Sequence, residues 1–344
     1  MAYAEVMDDI RTCIALGQPS RVPAFPLSIS YDYDCFGYTH AQWRNRPEIM
    51  LELARRAIGE FDYDVYMLHP DDLIEYEAIG IGINHEQTLP PAVRVYLPAE
   101  ESTLAALRIP AGLTRTGRMA AHLEGLSAIK QSFGDTICLV GRIAAPFTTL
   151  TLIFGIEATL LLMLERPALL KRYMDFFLEY NDLAAAAQLQ AGADAIWLGD
   201  CVATSHFISP DQYEEHAAEY AGAASRRVRE KGGIVFYHGN ERSIPHLKIM
   251  AGLGFDTINI GEGVDITAVK REIGNRVCIM GNLDTINDLQ PGSPERVERA
   301  VKDIVEAAKP GGGYIFCTGE GVPDSTPKEN VRAMMEAVKK YGGY

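Results

Sequence analysis

The feature that most constrains the fold of this chain is a repeated alternation between short apolar segments and segments of helical pattern. Each apolar segment is rich in β-branched and aromatic residues and ends in a turn. Such an order is typical of parallel strands, because a parallel pair needs a long crossover connection. Eight strands are predicted, and they cover Val22–Ser30, Tyr63–His69, Thr136–Ile143, Ala195–Asp200, Ile234–Gly239, Thr257–Ile260, Val277–Asp284 and Tyr314–Glu320.

Eight strands that alternate with helices favour a closed (β/α)8 barrel, an α/β fold also called a TIM barrel, over an open sheet. The 344 residues lie within the range of one such barrel, so we expect a single domain over 1–344 with an N-terminal extension. Residues Ile83–Leu97 have the pattern of a hairpin that is not part of the barrel. Ala145–Glu165 and Pro167–Ala191 are both helical in pattern, which predicts an extra helix in the third βα unit.

Composition and charge narrow the class of protein. Hydrophobic residues make up 47% and charged residues 23%, which is ordinary for a soluble globular enzyme. The formal net charge of −14 argues against a nucleic-acid-binding face and gives no reason to expect binding to anionic membranes. The six cysteines are widely spaced and no signal peptide is recognised, so a reducing cytoplasm is the expected location.

Polar side chains gather at the C-terminal ends of the predicted strands, where the active sites of barrels lie. They are Asp200, Cys201, His238, Asn240, Glu262, Asn282, Asp284, Cys317 and Glu320. One histidine and two glutamates on neighbouring strands can form a zinc site with an open fourth position. We therefore predict His238, Glu262 and Glu320 as metal ligands, with Cys201, Cys317, Asp200 and Asn240 as further candidates.

Two of these ligand assignments have a simpler alternative. His238 could be a hydrogen-bonded histidine at a strand end, and Glu262 could be a carboxylate at the N-terminus of the following helix. Glu320 lies between glycines at the barrel mouth, where a carboxylate more often serves function. If Glu320 faces the barrel axis, the alternation of side chains along a strand directs Cys317 toward the helices.

Several segments resemble the uroporphyrinogen decarboxylase superfamily. The C-terminal signature is carried by MGNLDTINDLQPGSPERVERAVKDIV and GGGYIFCTGEGVPDSTPKENVRAMMEAV. Ala145–Gly155 resembles the mid-chain motif of the family, Asp71–Gly80 its second βα unit, and AGADAIWLGD with FISPDQYEEH its fourth. The resemblance covers nearly the whole chain in the same motif order, and it implies a barrel with its active site at the strand ends.

The residues that distinguish the decarboxylases are mostly replaced. Their N-terminal arginine-bearing stretch corresponds here to PLSISYDYDCFGYTH, their mid-chain tyrosine to Leu152, and their C-terminal histidine to Glu320. Asp72 is the one site residue of theirs that is retained. Because uroporphyrinogen carries many carboxylates, an acidic pocket would repel it, so decarboxylation of that substrate is not expected.

The chain is also similar to the methylcobamide:coenzyme M methyltransferases, which are zinc enzymes with an H-x-C…C pattern. His238 falls on the histidine of that pattern, Asn240 on the first cysteine and Glu320 on the second, while Glu262 lies where related zinc methyltransferases supply a carboxylate. This resemblance implies zinc, a corrinoid carried by a partner protein, and a small methyl donor. The oligomeric state is open, and a homodimer is one possibility.

Replacing two thiolates by an amide and a carboxylate would leave zinc harder and better suited to polarise an oxygen. The hypothesis is therefore a zinc-dependent methyltransferase that moves a methyl group between a small donor, such as a methoxylated aromatic, and a corrinoid protein. The predicted catalytic residues are Asp200, Asn240 and Asp72. The predicted substrate-binding residues are Tyr31, Tyr33, Phe36 and Asn282, where the three aromatic residues would form a wall for a ring-shaped donor unless they only pack internally.

Three alternatives stay open at this point. A coenzyme M-type enzyme on the same fold would methylate a free thiol bound to the zinc. A non-catalytic barrel would bind a small ligand or a corrinoid protein without transferring a methyl group. A metal-free decarboxylase or lyase would depend on Asp72.

Overall fold

The computed structural model describes residues 5–115 and 117–344. Within that part of the chain the strands are β1 (Ala24–Phe25), β2 (Val65–Met67), β3 (Gly82–Asn84), β4 (Ala92–Val95), β5 (Cys138–Ala144), β6 (Ala195–Gly199), β7 (Ile234–Glu241), β8 (Thr257–Ile260), β9 (Cys278–Leu283) and β10 (Tyr314–Thr318). Eight of them form one sheet in the order β1, β10, β9, β8, β7, β6, β5, β2, and every hydrogen-bonded pair in it is parallel. Because β1 also lies beside β2, the sheet is nearly closed, and the predicted (β/α)8 barrel is confirmed.

Helices follow the strands and cover the outside of the barrel, except α1, which precedes β1 and packs against the interior cluster of the barrel. In the described residues they are α1 (Val6–Ile14), α2 (Tyr31–Cys35), α3 (His40–Trp43), α4 (Pro47–Phe61), α5 (Glu101–Ala106), α6 (Gly117–Phe133), α7 (Pro146–Phe154), α8 (Ile156–Glu165), α9 (Pro167–Gln190), α10 (Pro210–His216), α11 (Ala218–Glu230), α12 (Ile244–Met250), α13 (Ile266–Ile273), α14 (Pro294–Ala308) and α15 (Lys328–Tyr341). Three of them, α7 to α9, connect β5 to β6, which confirms the extra helical segment of the third βα unit.

The sequence of α14 shows why these segments are helical. Pro294 occupies its first turn, where a missing N–H costs nothing, and the Ser293 hydroxyl accepts a hydrogen bond from the backbone N–H of Arg296. Val297, Val301 and other apolar residues recur every four positions and are buried against the sheet. Across residues 5–115 and 117–344, no single helix is long and apolar enough to cross a membrane, and only α7 with α8, bent by 119°, meets that criterion as a pair.

The interior of the barrel is filled by alternate residues of the strands. Phe25, Trp197 and Phe236 form its aromatic centre, with Phe25 and Trp197 in edge-to-face contact at 5.4 Å between ring centroids. Cys317 is fully buried in the same cluster, so the expected orientation of Cys317 toward the helices is wrong. The alternation rule fails because β10 ends at Thr318, and the turn that follows separates Glu320 from the strand.

The predicted hairpin is confirmed as an antiparallel pair of β3 and β4 outside the barrel sheet. The first barrel strand is much shorter than predicted, and side chains accept hydrogen bonds from two of the backbone N–H groups in and next to it. The N–H of Ala24 donates to Asp64 Oδ2 at 2.8 Å, and the N–H of Leu27 donates to Thr318 Oγ1 at 3.0 Å.

Candidate active site

A cavity of about 440 Å³ opens at the C-terminal ends of the barrel strands. Three predicted site residues, Asp72, His238 and Glu320, line this cavity together. Its other polar lining residues are His69, Arg142, Thr148, Thr151 and Cys201. Val93 and Tyr96 of the hairpin form part of the apolar wall. A cavity of this size and mixed lining suits a small molecule.

His238 lies near the end of β7 and is 6% exposed. Its Nδ1 is 2.8 Å from Asn259 Oδ1 on the neighbouring strand β8. One face of the ring stacks on Trp197 at 4.7 Å between centroids, with 27° between the planes. Because Nδ1 contacts Asn259 and one ring face contacts Trp197, the remaining ring nitrogen, Nε2, is left for a ligand in the cavity.

Asn240 and Glu320, at the two positions that correspond to cysteines in the methyltransferase pattern, contact each other directly. The Asn240 side-chain amide donates a hydrogen bond to Glu320 Oε1. Asn240 has a φ of +48°, in the left-handed region that asparagine tolerates better than most residues. The pairing of β7 with β8 shifts register between His238 and Glu241, so this turn directs the amide toward Glu320.

Glu262 borders this region, but it is not part of the cavity lining. Its Oε1 accepts hydrogen bonds from the N–H and the hydroxyl of Thr285, at 2.8 and 2.6 Å. Asn282 is not part of the lining either, because its amide donates to the carbonyl oxygens of Gly261 and Val264, both at 3.0 Å. Asn282 therefore holds the loop that carries Glu262, and the structure does not bring it to the cavity.

The predicted ligands match zinc in chemistry but are not gathered around one point. Among residues 5–115 and 117–344, no three His, Cys, Asp or Glu side chains are spaced to hold a metal ion. His238 presents an imidazole nitrogen whose ring partner is tied to the protein, which is the usual arrangement of a histidine ligand. Glu320 adds a carboxylate in the same cavity, and both Thr285 contacts of Glu262 use Oε1, which leaves its Oε2. These donors fit the nitrogen and oxygen preference of catalytic zinc.

A buried guanidinium next to Asp72 is the main feature that the sequence interpretation missed. Arg142, on β5, is 3% exposed and its Nη2 is 3.2 Å from Asp72 Oδ1. Its Nη1 is 3.1 Å from both carboxylate oxygens of Glu75, whose side chain is 1% exposed. The Asp72 side chain is 60% exposed; desolvation by nearby protein atoms acts to raise its pKa, but Arg142, assisted by His69 and His238, outweighs this effect and holds the pKa below its ordinary value. Asp72 therefore presents an ionised carboxylate to the cavity.

Asp200 lies behind the cavity wall and is fully buried. It accepts hydrogen bonds from the hydroxyls of Thr148 and Tyr237, at 2.8 and 2.9 Å. Burial raises the pKa of Asp200 to about 6, although both hydrogen bonds act to lower it. Because Thr148 lines the cavity, its hydroxyl connects Asp200 to the cavity by a hydrogen bond.

The buried Asp200 should make stability fall with rising pH. The folded protein keeps the Asp200 proton up to about pH 6, whereas the unfolded chain releases it near 3.8. The unfolded state thus binds fewer protons in this interval, so the free energy of unfolding decreases from about pH 4 to 6, by at most ~3 kcal/mol. Urea unfolding of the wild type and of Asp200→Asn at several pH values measures this difference. A wild-type curve parallel to the variant curve would contradict it.

The predicted aromatic wall packs away from the cavity. Tyr31 and Phe36 contact Phe61 of α4, at 5.9 and 6.2 Å between ring centroids, and Tyr33 contacts Trp43 of α3 at 5.6 Å. Tyr31 and Tyr33 are only 1% and 4% exposed. The reason is local, because Tyr31 begins helix α2 rather than following a barrel strand. The observed packing matches the alternative of ordinary internal contacts.

Comparison with known proteins places this geometry in a family context. The model of the family described as Uroporphyrinogen decarboxylase (URO-D) matches residues 8–341. A "Uroporphyrinogen decarboxylase" of Anaeromyxobacter dehalogenans is 26% identical over 313 residues, which cover 86% of each chain. A "Methylcobamide:CoM methyltransferase MtaA" of Methanosarcina barkeri is 26% identical over 331 residues, which cover 94% of this chain and 95% of that protein.

Among solved structures, a "methyltransferase from Methanosarcina mazei" superposes with a TM-score of 0.88 at 23% identity and covers 98% of both chains. At this identity the similarity shows a shared barrel fold. The family model spans nearly all of the sequence, and the strand-end cavity lies where the family resemblance implies an active site. The chain belongs to the uroporphyrinogen decarboxylase (URO-D) family.

Proposed function

We propose that this chain is a corrinoid-linked methyltransferase, which moves a methyl group between a small methyl-carrying compound and a corrinoid on a partner protein. The observation that carries the proposal is His238, held by Asn259 with its Nε2 free for the cavity that also contains Glu320. The similarity to methylcobamide:CoM methyltransferases over nearly the whole chain supports the same activity.

The charge of the cavity argues against uroporphyrinogen as the substrate. Relatives with the decarboxylase name are equally similar in sequence, so the lining residues must decide. Asp72 and Glu320 are carboxylates in the lining, and the one guanidinium among the described lining residues, Arg142, is already bonded to Glu75 and Asp72. A substrate rich in carboxylates would meet like charge without a free guanidinium to compensate it.

We propose zinc as the metal cofactor, held by His238 and Glu320 with Glu262 as the third ligand, and binding would require these three side chains to converge on one ion. When bound, zinc would act as a Lewis acid on the oxygen that carries the methyl group. Asn240 orients the Glu320 carboxylate by donating to its Oε1. Glu262 would bind through Oε2, because Thr285 uses Oε1.

Three further residues serve the small substrate in this proposal. Asp72, kept ionised by Arg142, accepts a hydrogen bond from a polar group of the substrate. Thr148 contacts the substrate and connects it to Asp200, whose raised pKa allows its carboxyl group to hold a proton close to neutral pH. To deliver that proton, the Thr148 hydroxyl would turn, accept the proton of Asp200 and donate its own proton to the oxygen that is left when the methyl group departs. The apolar wall that includes Trp197 and Tyr96 suits a single-ring methoxylated compound.

Methyl transfer can be tested with free cobalamins as stand-ins for the protein-bound corrinoid. The zinc-loaded protein should form methylcobalamin from cob(I)alamin and a methoxylated benzoate, and this formation is followed by the change in the visible spectrum. A free thiol that demethylates methylcobalamin instead would indicate the coenzyme M-type reaction, with sulfur entering the metal shell in X-ray absorption spectra. Release of CO₂ from uroporphyrinogen without methyl transfer would contradict the proposal.

A further inference from the structure

Asn259 is a fully buried residue of β8, where it is a polar amide between two isoleucines. Its amide nitrogen, Nδ2, faces the carbonyl oxygen of Thr318 at 3.4 Å. A carbonyl oxygen only accepts hydrogen bonds, so this contact fixes which end of the amide points to β10. The other end, Oδ1, must then face His238.

This orientation determines which nitrogen of His238 carries the proton. Asn259 Oδ1 only accepts, so His238 Nδ1, at 2.8 Å from it, must donate. A neutral imidazole has one N–H, and with the proton on Nδ1 the lone pair lies on Nε2. Trp197 adds a second restraint, because it stacks on the ring at 4.7 Å and limits rotation about the side-chain bonds.

We propose that Asn259 is a positioning residue, which holds His238 in the tautomer whose Nε2 lone pair faces the cavity. This inference rests on the proposed function insofar as the lone pair serves zinc. The tautomer itself is a property of the metal-free protein. Replacing such an orienting partner typically weakens metal binding by about 10- to 100-fold.

The first test is the protonation pattern of the His238 ring in metal-free protein. Long-range 1H–15N correlation spectra of protein with 15N-labelled histidine report which ring nitrogen bears hydrogen, and the signals that disappear in His238→Gln assign the ring. The wild type should show Nδ1–H and an unprotonated Nε2. Asn259→Leu, which removes the acceptor, should change the pattern to Nε2–H, whereas Asn259→Asp keeps an acceptor and should retain Nδ1–H.

The matched control is Asn330→Leu. Asn330 is equally buried, but its amide donates to the carbonyl oxygens of Leu289 and Gly292. This variant loses a buried amide without touching His238, so the His238 pattern should not change. Titration with Zn²⁺ alone should show about 10- to 100-fold weaker binding for Asn259→Leu and nearly unchanged binding for Asn330→Leu.

A wild-type ring with hydrogen on Nε2 would overturn the inference, and this measurement needs no variant to fold. An unchanged tautomer in folded Asn259→Leu would overturn it as well. A wild type that shows Nδ1–H but binds no Zn²⁺ would support the assignment of Asn259 and contradict the zinc site of the proposed function, so the two failures are distinguishable.

Discussion

Replacing His238 with alanine is expected to abolish zinc binding and to reduce methyl transfer by about 10³-fold or more. His238 is the predicted ligand whose geometry is already that of a metal-binding imidazole, with Nδ1 bonded to Asn259 and the ring stacked on Trp197. Loss of a Lewis acid removes several kcal/mol of stabilisation at the reacting oxygen, and each 1.36 kcal/mol corresponds to tenfold in rate. Metal analysis after dialysis and the methylcobalamin assay measure the two effects.

His206→Ala is the matched control, because His206 is an exposed histidine outside the cavity lining. It should bind about one equivalent of zinc and transfer methyl groups at the wild-type rate. If His238→Ala retained both its zinc and its activity while remaining folded, His238 would not be the ligand proposed here.

Replacing Arg142 with methionine should lower the free energy of unfolding by about 3–5 kcal/mol near neutral pH. The variant leaves Glu75 buried with no guanidinium to compensate it and also removes a partner of Asp72. Burial acts to raise the pKa of Glu75, and Arg142 opposes this, so its loss should favour the protonated carboxyl. The destabilisation should therefore shrink as the pH falls, and urea unfolding at several pH values measures it.

Two comparisons separate a buried-charge effect from the loss of any arginine. Arg172→Met removes an exposed ion pair with Glu101, at 2.5 Å, and should leave the unfolding midpoint nearly unchanged. Adding Glu75→Gln to Arg142→Met removes the uncompensated charge and should recover part of the lost stability. A loss no larger than that of Arg172→Met would show that the buried network contributes little.

The barrel could be predicted because its signal is repeated along the chain. Each strand is a short apolar run followed by a helix, and a misjudged end such as Ser30 in the first strand does not change the order of elements. The placement of His238, Glu320 and Asp72 around one cavity follows from the same rule, because the C-terminal ends of parallel strands meet at one end of a barrel.

The contacts of individual side chains could not be predicted in the same way. Glu262 and Asn282 are at strand ends as expected, but their hydrogen bonds to Thr285 and to nearby carbonyl groups depend on loop conformations that no periodic pattern encodes. Tyr31 follows the predicted end of the first strand at Ser30, but the strand ends at Phe25 and Tyr31 begins a helix. Arg142 left a visible signal, since it is a charged residue inside an otherwise apolar strand.

Anomalous scattering at the zinc edge, from crystals of fully active protein supplied with one equivalent of Zn²⁺, tests the central claim most directly. We expect one peak about 2.0–2.1 Å from His238 Nε2, with carboxylate oxygens completing the protein ligands. Active protein with no metal at His238 would contradict it.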